Sequence, residues 1–135
     1  MLKGTARKEA IKKVMAKKET RIAYCEHDLF VFGLYYFPNA FGCKSAPFHK
    51  EWAKAFVGME HLLIIAFRES AKSFWLMVYF VHCIVYKTRR NMFYICYDKP
   101  TANERLFDIA NALQTNKELI DDFGHLFPTF AKGNT

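Results

Sequence analysis

The sequence has none of the cysteine or histidine spacings that mark a zinc site, a redox centre or a metalloprotease. Its four cysteines include no C-x-x-C pair, and its five histidines form no H-E-x-x-H motif. These absences argue against a zinc knuckle, a thioredoxin-like motif and a histidine-ligated metal. We therefore expect the cysteines to be reduced thiols.

Long apolar runs and secretion signals are also missing. No stretch free of Asp, Glu, Lys and Arg reaches the about 20 residues that a bilayer-spanning helix needs. The basic N-terminus lacks the apolar run and the small-residue cleavage site of a signal peptide. The sequence therefore predicts no transmembrane helix, no secretion and no membrane partner.

Disordered proteins have few apolar residues, and this chain has many. Apolar residues make up 52% of the 135-residue chain, aromatic residues 17% and charged residues 24%. This composition excludes a disordered, collagen-like or low-complexity chain. The length predicts one domain or part of one, since a globular domain has about 100–200 residues.

Positive charge is concentrated near the N-terminus. The formal net charge is +7, and the first 21 residues hold eight basic and only two acidic side chains. Residues 1–47 are therefore interpreted as a basic helical arm followed by an irregular connection. Such an arm favours contact with a polyanion such as nucleic acid, and the alternative is a solvated helical face. The candidate nucleic-acid-binding residues are Lys8, Lys12, Lys13, Lys17 and Lys18.

The hydrophobic pattern predicts an α/β fold. The predicted helices cover residues 5–32, 48–57, 72–86, 101–115 and 117–123, and the predicted strands cover 61–66 and 90–97. Both strands are nearly continuous apolar runs, the pattern of a parallel sheet covered on both faces. The last long helix is predicted to begin with a capping box, Thr101 to Glu104. The predicted architecture is an N-terminal helical segment plus one βαβα unit of an incomplete parallel sheet flanked by helices.

The turn after the first predicted strand is similar to a phosphate-binding P-loop. The segment AFRESAKS overlays the pattern Gly-x-x-x-x-Gly-Lys-Ser/Thr, with alanine at both glycine positions. In that motif backbone amides surround phosphate oxygens, the lysine reaches the terminal phosphates and the hydroxyl binds Mg²⁺. The alternative is an ordinary turn with a solvated Arg68–Glu69 pair. The candidate nucleotide-binding residues are Ala66, Phe67, Arg68, Glu69, Ser70, Ala71, Lys72 and Ser73, and Ser73 is also the candidate Mg²⁺ ligand.

Three segments together resemble the N-terminal ATPase region of the large terminase subunit of tailed phages. They are His49, then LLIIAFRESAKS, then MFYICYDKPTANERLFDIANALQTNKELIDDFG, and the resemblance covers roughly residues 37–127. That family commonly has a loop of the form Arg-x-x-Gly/Ala-Lys-Ser/Thr, which places Arg68, Ala71, Lys72 and Ser73 on the motif. His49 falls where this class often contacts adenine, and the alternative is a buried histidine bonded to the backbone.

The terminase resemblance implies a motor enzyme. It implies ATP hydrolysis, with Mg²⁺, coupled to translocation of double-stranded DNA into a viral procapsid. Lys72 and Arg68 are then the catalytic residues, with Arg68 acting in cis on the γ-phosphate. The alternative for Arg68 is an ion pair with Glu69 or another carboxylate. The implied partners are DNA, the portal protein and the small terminase subunit, in the host cytoplasm, with a homo-oligomer only in a full-length protein.

Other parts of a terminase are not visible in the sequence. Residues 48–135 are predicted to be a partial P-loop NTPase domain with the Walker A half and neither a Walker B strand nor a nuclease domain. Asp98 follows an apolar run, but Lys99 and Pro100 stand where a catalytic glutamate is needed. The chain is therefore expected to be incomplete and a poor ATPase by itself. The alternatives are a non-catalytic DNA- or protein-binding module with a degenerate loop, or another P-loop helicase or replication ATPase.

Overall fold

The computed structural model describes residues 3–40 and 45–126, and within those ranges the regular structure is entirely helical. The helices are α1 (Lys3–Ala16), α2 (Lys18–His27), α3 (Leu29–Tyr36), α4 (Pro47–Gly58), α5 (Lys72–Val85), α6 (Lys99–Thr115) and α7 (Lys117–Phe123). The chain divides into two compact units between Leu63 and Ile64. The first unit contains α1 to α4, and the second contains α5 to α7.

The predicted α/β fold is wrong. Residues 61–66 and 90–97, predicted as strands of a parallel sheet, form no ladder among the described residues, and the chain has no βαβα unit there. Side-chain burial still alternates along 91–98, as in extended chain, but Phe93 is 84% exposed and Ile95 is 90% exposed. A strand of a parallel sheet must be covered on both faces, and here one face remains open.

The first unit begins as three short helices, although one continuous helix was predicted over residues 5–32. Lys17 has extended backbone angles, which end α1, and Asp28 interrupts the chain between α2 and α3. The Asp28 carboxylate accepts a hydrogen bond from the Val31 backbone N–H at 3.0 Å, so it caps α3. Side-chain hydrogen bonds accompany both breaks: those of Thr20 and Arg21 at the first, and that of Asp28 at the second.

Contacts across these breaks hold the first unit together. The Thr20 hydroxyl donates to the Val14 carbonyl oxygen at 2.6 Å, and Arg21 donates to the Met15 carbonyl oxygen at 2.9 Å. The same guanidinium lies over the Tyr35 ring, 4.8 Å from its centre. The buried apolar side chains of the first unit are Cys25, Leu29, Phe32, Tyr36 and Ala53.

The first turn of α4 is capped by the backbone and by His49. Pro47 opens the helix, where its missing N–H costs nothing. The imidazole Nδ1 of His49 accepts the backbone N–H of Ala46 at 3.2 Å, and the ring is buried. His49 is therefore the backbone-bonded buried histidine that the sequence left as one of two alternatives.

The second unit is organised around α5, whose inner face carries the largest buried side chain. Trp75, Val78 and Val81 are fully buried, and α6 and α7 contribute Ile109, Leu113 and Leu119 to the same unit. The Tyr86 ring at the end of α5 meets the Phe123 ring of α7 edge to face, 5.1 Å between centres. The helices predicted at 72–86 and 117–123 are confirmed at these positions.

Helix α6 begins at a different residue from the one predicted. Its cap is Asp98, whose carboxylate accepts the backbone N–H of Thr101 at 2.9 Å. The Thr101 side chain and this backbone N–H together hold the pKa of Asp98 below its ordinary value. The predicted Thr101–Glu104 capping box is therefore wrong, and the carboxylate of Asp98 serves as a helix cap.

Within the described ranges, every helix is too short or too polar to cross a lipid bilayer.

Candidate phosphate-binding loop

The loop that precedes α5 contains two non-glycine residues with left-handed backbone. Glu69 and Ala71 both have φ of 64°, which is in the left-handed region. Ala71 is the N-terminal cap of α5 and has no side-chain cap of its own. Alternation of left-handed residues with their neighbours turns successive backbone N–H groups toward one side, as in anion-binding nests. The loop is therefore shaped like a phosphate cradle although it has no glycine.

Lys72 closes this loop with its ammonium group. Its Nζ donates to the carbonyl oxygens of Ala66 at 3.0 Å and Phe67 at 2.8 Å, and to the hydroxyl of Ser70 at 3.3 Å. These three neutral acceptors match the three protons of an ammonium group. A phosphate oxygen is an anionic acceptor and forms a stronger, charge-assisted bond, so it would compete well for the same protons.

The remaining loop residues differ in their exposure to solvent. Ser70 is only 3% exposed, and Phe67 is 67% exposed. Arg68 and Glu69 are also exposed. Among the described residues Arg68 has no ion-pair partner, so the solvated Arg68–Glu69 pair of the alternative reading is not formed.

Ser73, the candidate Mg²⁺ ligand, lies near Tyr94. Partial burial of the phenol raises the pKa of Tyr94. Among the described residues, no cluster of three or more His, Cys, Asp or Glu side chains could hold a metal ion. A magnesium ion at this loop would be bound by the Ser73 hydroxyl, by phosphate oxygens and by water, the ligands that Mg²⁺ accepts.

The five candidate lysines of the predicted arm lie on α1, on α2 or at the break between them, and all five are exposed. Lys8, Lys12 and Lys13 lie on α1, Lys17 lies at the break, and Lys18 opens α2. Arg7, Lys8 and Lys12 line a groove of about 800 Å³ whose floor includes Ile11 and Met15. Lys13, Lys17 and Lys18 lie outside that groove.

Two basic residues of the groove, Arg7 and Lys50, are not among the candidates predicted from the sequence. Lys50, on α4, lines it together with the three basic residues of α1. The single carboxylate among the lining residues is that of Asp28, which already caps α3. Lys50 is far along the chain from the basic residues of α1, so no local sequence pattern predicts that it lines the same groove.

Comparisons with family models, curated proteins and solved structures found no match to this chain. The terminase resemblance therefore stays a prediction, and function has to be argued from the geometry of the chain itself.

Replacing Ala71 with glycine is expected to stabilise the second unit. Left-handed backbone costs a non-glycine residue about 1–2 kcal/mol, and glycine adopts it freely, so a gain of about 1 kcal/mol is expected. Urea unfolding measures it. Ala110→Gly, inside α6, is the matched control and should lose about 1 kcal/mol. Equal destabilisation by both variants would contradict the left-handed conformation at residue 71.

Proposed function

We propose that residues 66–73 bind the phosphates of a nucleoside triphosphate. The observation that carries this proposal is the position of the Lys72 ammonium, which lies across a loop with two left-handed residues at the start of a helix. Free backbone N–H groups at a helix N-terminus and a nearby ammonium are the two features that bind terminal phosphates.

The electrostatics of α5 support the same ligand. This helix is 14 residues long, and the partial positive charge at its N-terminus, about half an elementary charge, attracts anions. Lys72 and Arg68 add two formal positive charges at that end, against one negative charge from Glu69. A polyphosphate therefore meets a net positive loop.

The terminase resemblance gives this site its proposed biological setting. ATP bound with Mg²⁺ at residues 66–73 would be the fuel of a motor that packages double-stranded DNA into a viral procapsid in the host cytoplasm. In that setting Lys72 and Arg68 act on the terminal phosphate. Asp98 caps α6, so this carboxylate supplies no Walker B function, and slow turnover by this chain is expected.

Titration calorimetry with a series of nucleotides tests the proposal. Affinity should rise in the order adenosine, AMP, ADP and ATP, because each added phosphate brings charge toward Lys72 and the N-terminus of α5. Mg²⁺ should strengthen ATP binding, because the Ser73 hydroxyl and the phosphate oxygens are ligands that this ion accepts. Equal affinity for adenosine and ATP would overturn the proposal.

A second candidate function is contact with nucleic acid through the groove of the first unit. Four basic residues surround an apolar floor there, and the one carboxylate is engaged as a helix cap. Phosphate contacts from such residues are independent of base sequence and weaken with salt. This candidate accounts for the basic arm without requiring the loop.

Neutralising the groove is expected to weaken duplex DNA binding. In the triple variant Lys8→Gln, Lys12→Gln and Lys50→Gln, each lost phosphate contact should lower the slope of log affinity against log salt by about 0.9. The control is Lys13→Gln, Lys17→Gln and Lys18→Gln, which removes the same charge outside the groove. Fluorescence anisotropy at several salt concentrations measures both. Equal losses from the two variants would contradict a groove-specific contact.

A further inference from the structure

We propose that a cavity between α5, residues 89–94 and α6 binds a small amphipathic anion, a molecule with an aliphatic body and a single carboxylate head. This cavity of about 420 Å³ is separate in its residues from the loop at 66–73. It is lined by Phe80, Ile84, Arg89, Arg90, Met92, Tyr94, Ala102, Asn103, Leu106, Ile109 and Ala110.

The body of the cavity fits an aliphatic chain. Most lining side chains are apolar, and they come from three separate segments of the second unit. The Phe80 ring of α5 packs on the Tyr94 ring, with 5.4 Å between their centres, so the wall on that side is aromatic. The volume falls in the range of about 300–1,000 Å³ that is typical of small-molecule sites.

The positive charge of two lining residues indicates that the head group of the ligand is anionic. The lining includes Arg89 and Arg90, and it includes no Asp or Glu. On α6, Asp108 is occupied by a salt bridge to Arg105 at 3.3 Å, which leaves the arginines of the cavity without an acidic competitor from that pair. A guanidinium binds a carboxylate through two parallel hydrogen bonds, a geometry that a neutral head group cannot reproduce.

Two tyrosines lie near the charged residues of the cavity. Tyr94 lines the cavity, and Tyr79 lies near Arg89. Burial raises the pKa of both phenols, so neither adds negative charge beside the arginines. The charged side chains that line this largely apolar cavity are therefore the two arginines.

One wall of the cavity is left open to water. Leu106 lines the cavity and is 65% exposed, an unfavourable position for a large aliphatic side chain. An aliphatic ligand would cover it. A long peptide or a nucleic acid would be too large for this volume, and a polyphosphate has no apolar body to fill it.

Titration of the full chain with decanoate, below its micellar concentration, tests this site. Decanoate should bind, and decanol, which has the same chain without the charge, should bind at least about tenfold more weakly. Arg89→Gln and Arg90→Gln should each weaken decanoate binding about tenfold and leave decanol binding unchanged. Lys117→Gln, an exposed lysine outside the cavity, is the control and should change neither.

A second variant separates loss of the site from loss of the fold. Leu106→Asp places a carboxylate in the cavity at a largely exposed position, so circular dichroism should show unchanged helix content while decanoate binding is lost. Equal affinity for decanoate and decanol, insensitivity to both arginine variants, or no binding by the folded chain would each overturn the proposal.

Discussion

Replacing Lys72 with alanine is expected to weaken ATP binding by about a hundredfold or more, equal to about 2.7 kcal/mol. The Lys72 ammonium lies across the loop, where it donates to the carbonyl oxygens of Ala66 and Phe67. Bonds to charged groups contribute about 1.5–3 kcal/mol each, so the loss of one or two phosphate contacts accounts for the effect. Titration calorimetry with ATP and Mg²⁺ measures it.

The matched control for this variant is Lys99→Ala. Lys99 holds the same first position on α6 that Lys72 holds on α5, and its side chain is exposed. The control removes one positive charge at a helix start but leaves the loop intact, so ATP affinity should change less than about twofold. Unchanged ATP binding by Lys72→Ala, in a chain with normal helix content, would contradict the role given to the loop.

Trp75→Ala is expected to lower the free energy of unfolding of the second unit by about 3–5 kcal/mol. The indole is 0% exposed, one turn into α5, and its removal leaves a cavity among the side chains packed around it. A loss of this size is a large part of the stability of a small unit. Urea unfolding followed by far-ultraviolet circular dichroism measures it.

Phe107→Ala is the control for the tryptophan variant. It also replaces an aromatic side chain with a methyl group on a helix, but Phe107 is 67% exposed. Surface substitutions usually change stability by about 0.5 kcal/mol or less, so a small effect is expected. If the two variants cost the same, Trp75 is not at the centre of the core.

Helices with clear boundary signals could be predicted from the sequence. Pro47 and Gly58 bracket α4, and an apolar run of helical length gives α5. The strands at 61–66 and 90–97 could not be assigned safely, because the periodicity of a short apolar run does not show whether the segment pairs with other strands in a sheet. Whether other parts of the chain cover a segment depends on the tertiary structure. In segment 90–97 one face is left exposed, and that face includes Ile95 and Tyr97.

The cap of α6 shows a local competition that the sequence alone leaves unresolved. Asp98 and Thr101 are both good caps, and Pro100 lies in the first turn of the helix only if Asp98 is the cap. The helix begins at Lys99, so Pro100 lies in its first turn and Asp98 accepts the Thr101 N–H. Helix α6 is therefore two residues longer at its start than predicted.

The candidate loop was found by motif, but its conformation was not. Lys72 and Ser73 identify the position of the loop, while alanine and glutamate are poor predictors of left-handed backbone at residues 71 and 69. The ammonium contacts to Ala66 and Phe67 depend on that backbone. Lys50 joined the basic groove through packing between helices, which no spacing along the chain encodes.

Amide chemical shifts of the isotope-labelled chain test the central claim most directly. On addition of ATP with Mg²⁺, the backbone amides of residues 69–73 should shift most, since these N–H groups lie at the start of α5. Inorganic triphosphate should shift the same amides, and adenosine should leave them unchanged. Shifts confined to other residues, or no shift at 69–73 with saturating ATP, would contradict phosphate binding by this loop.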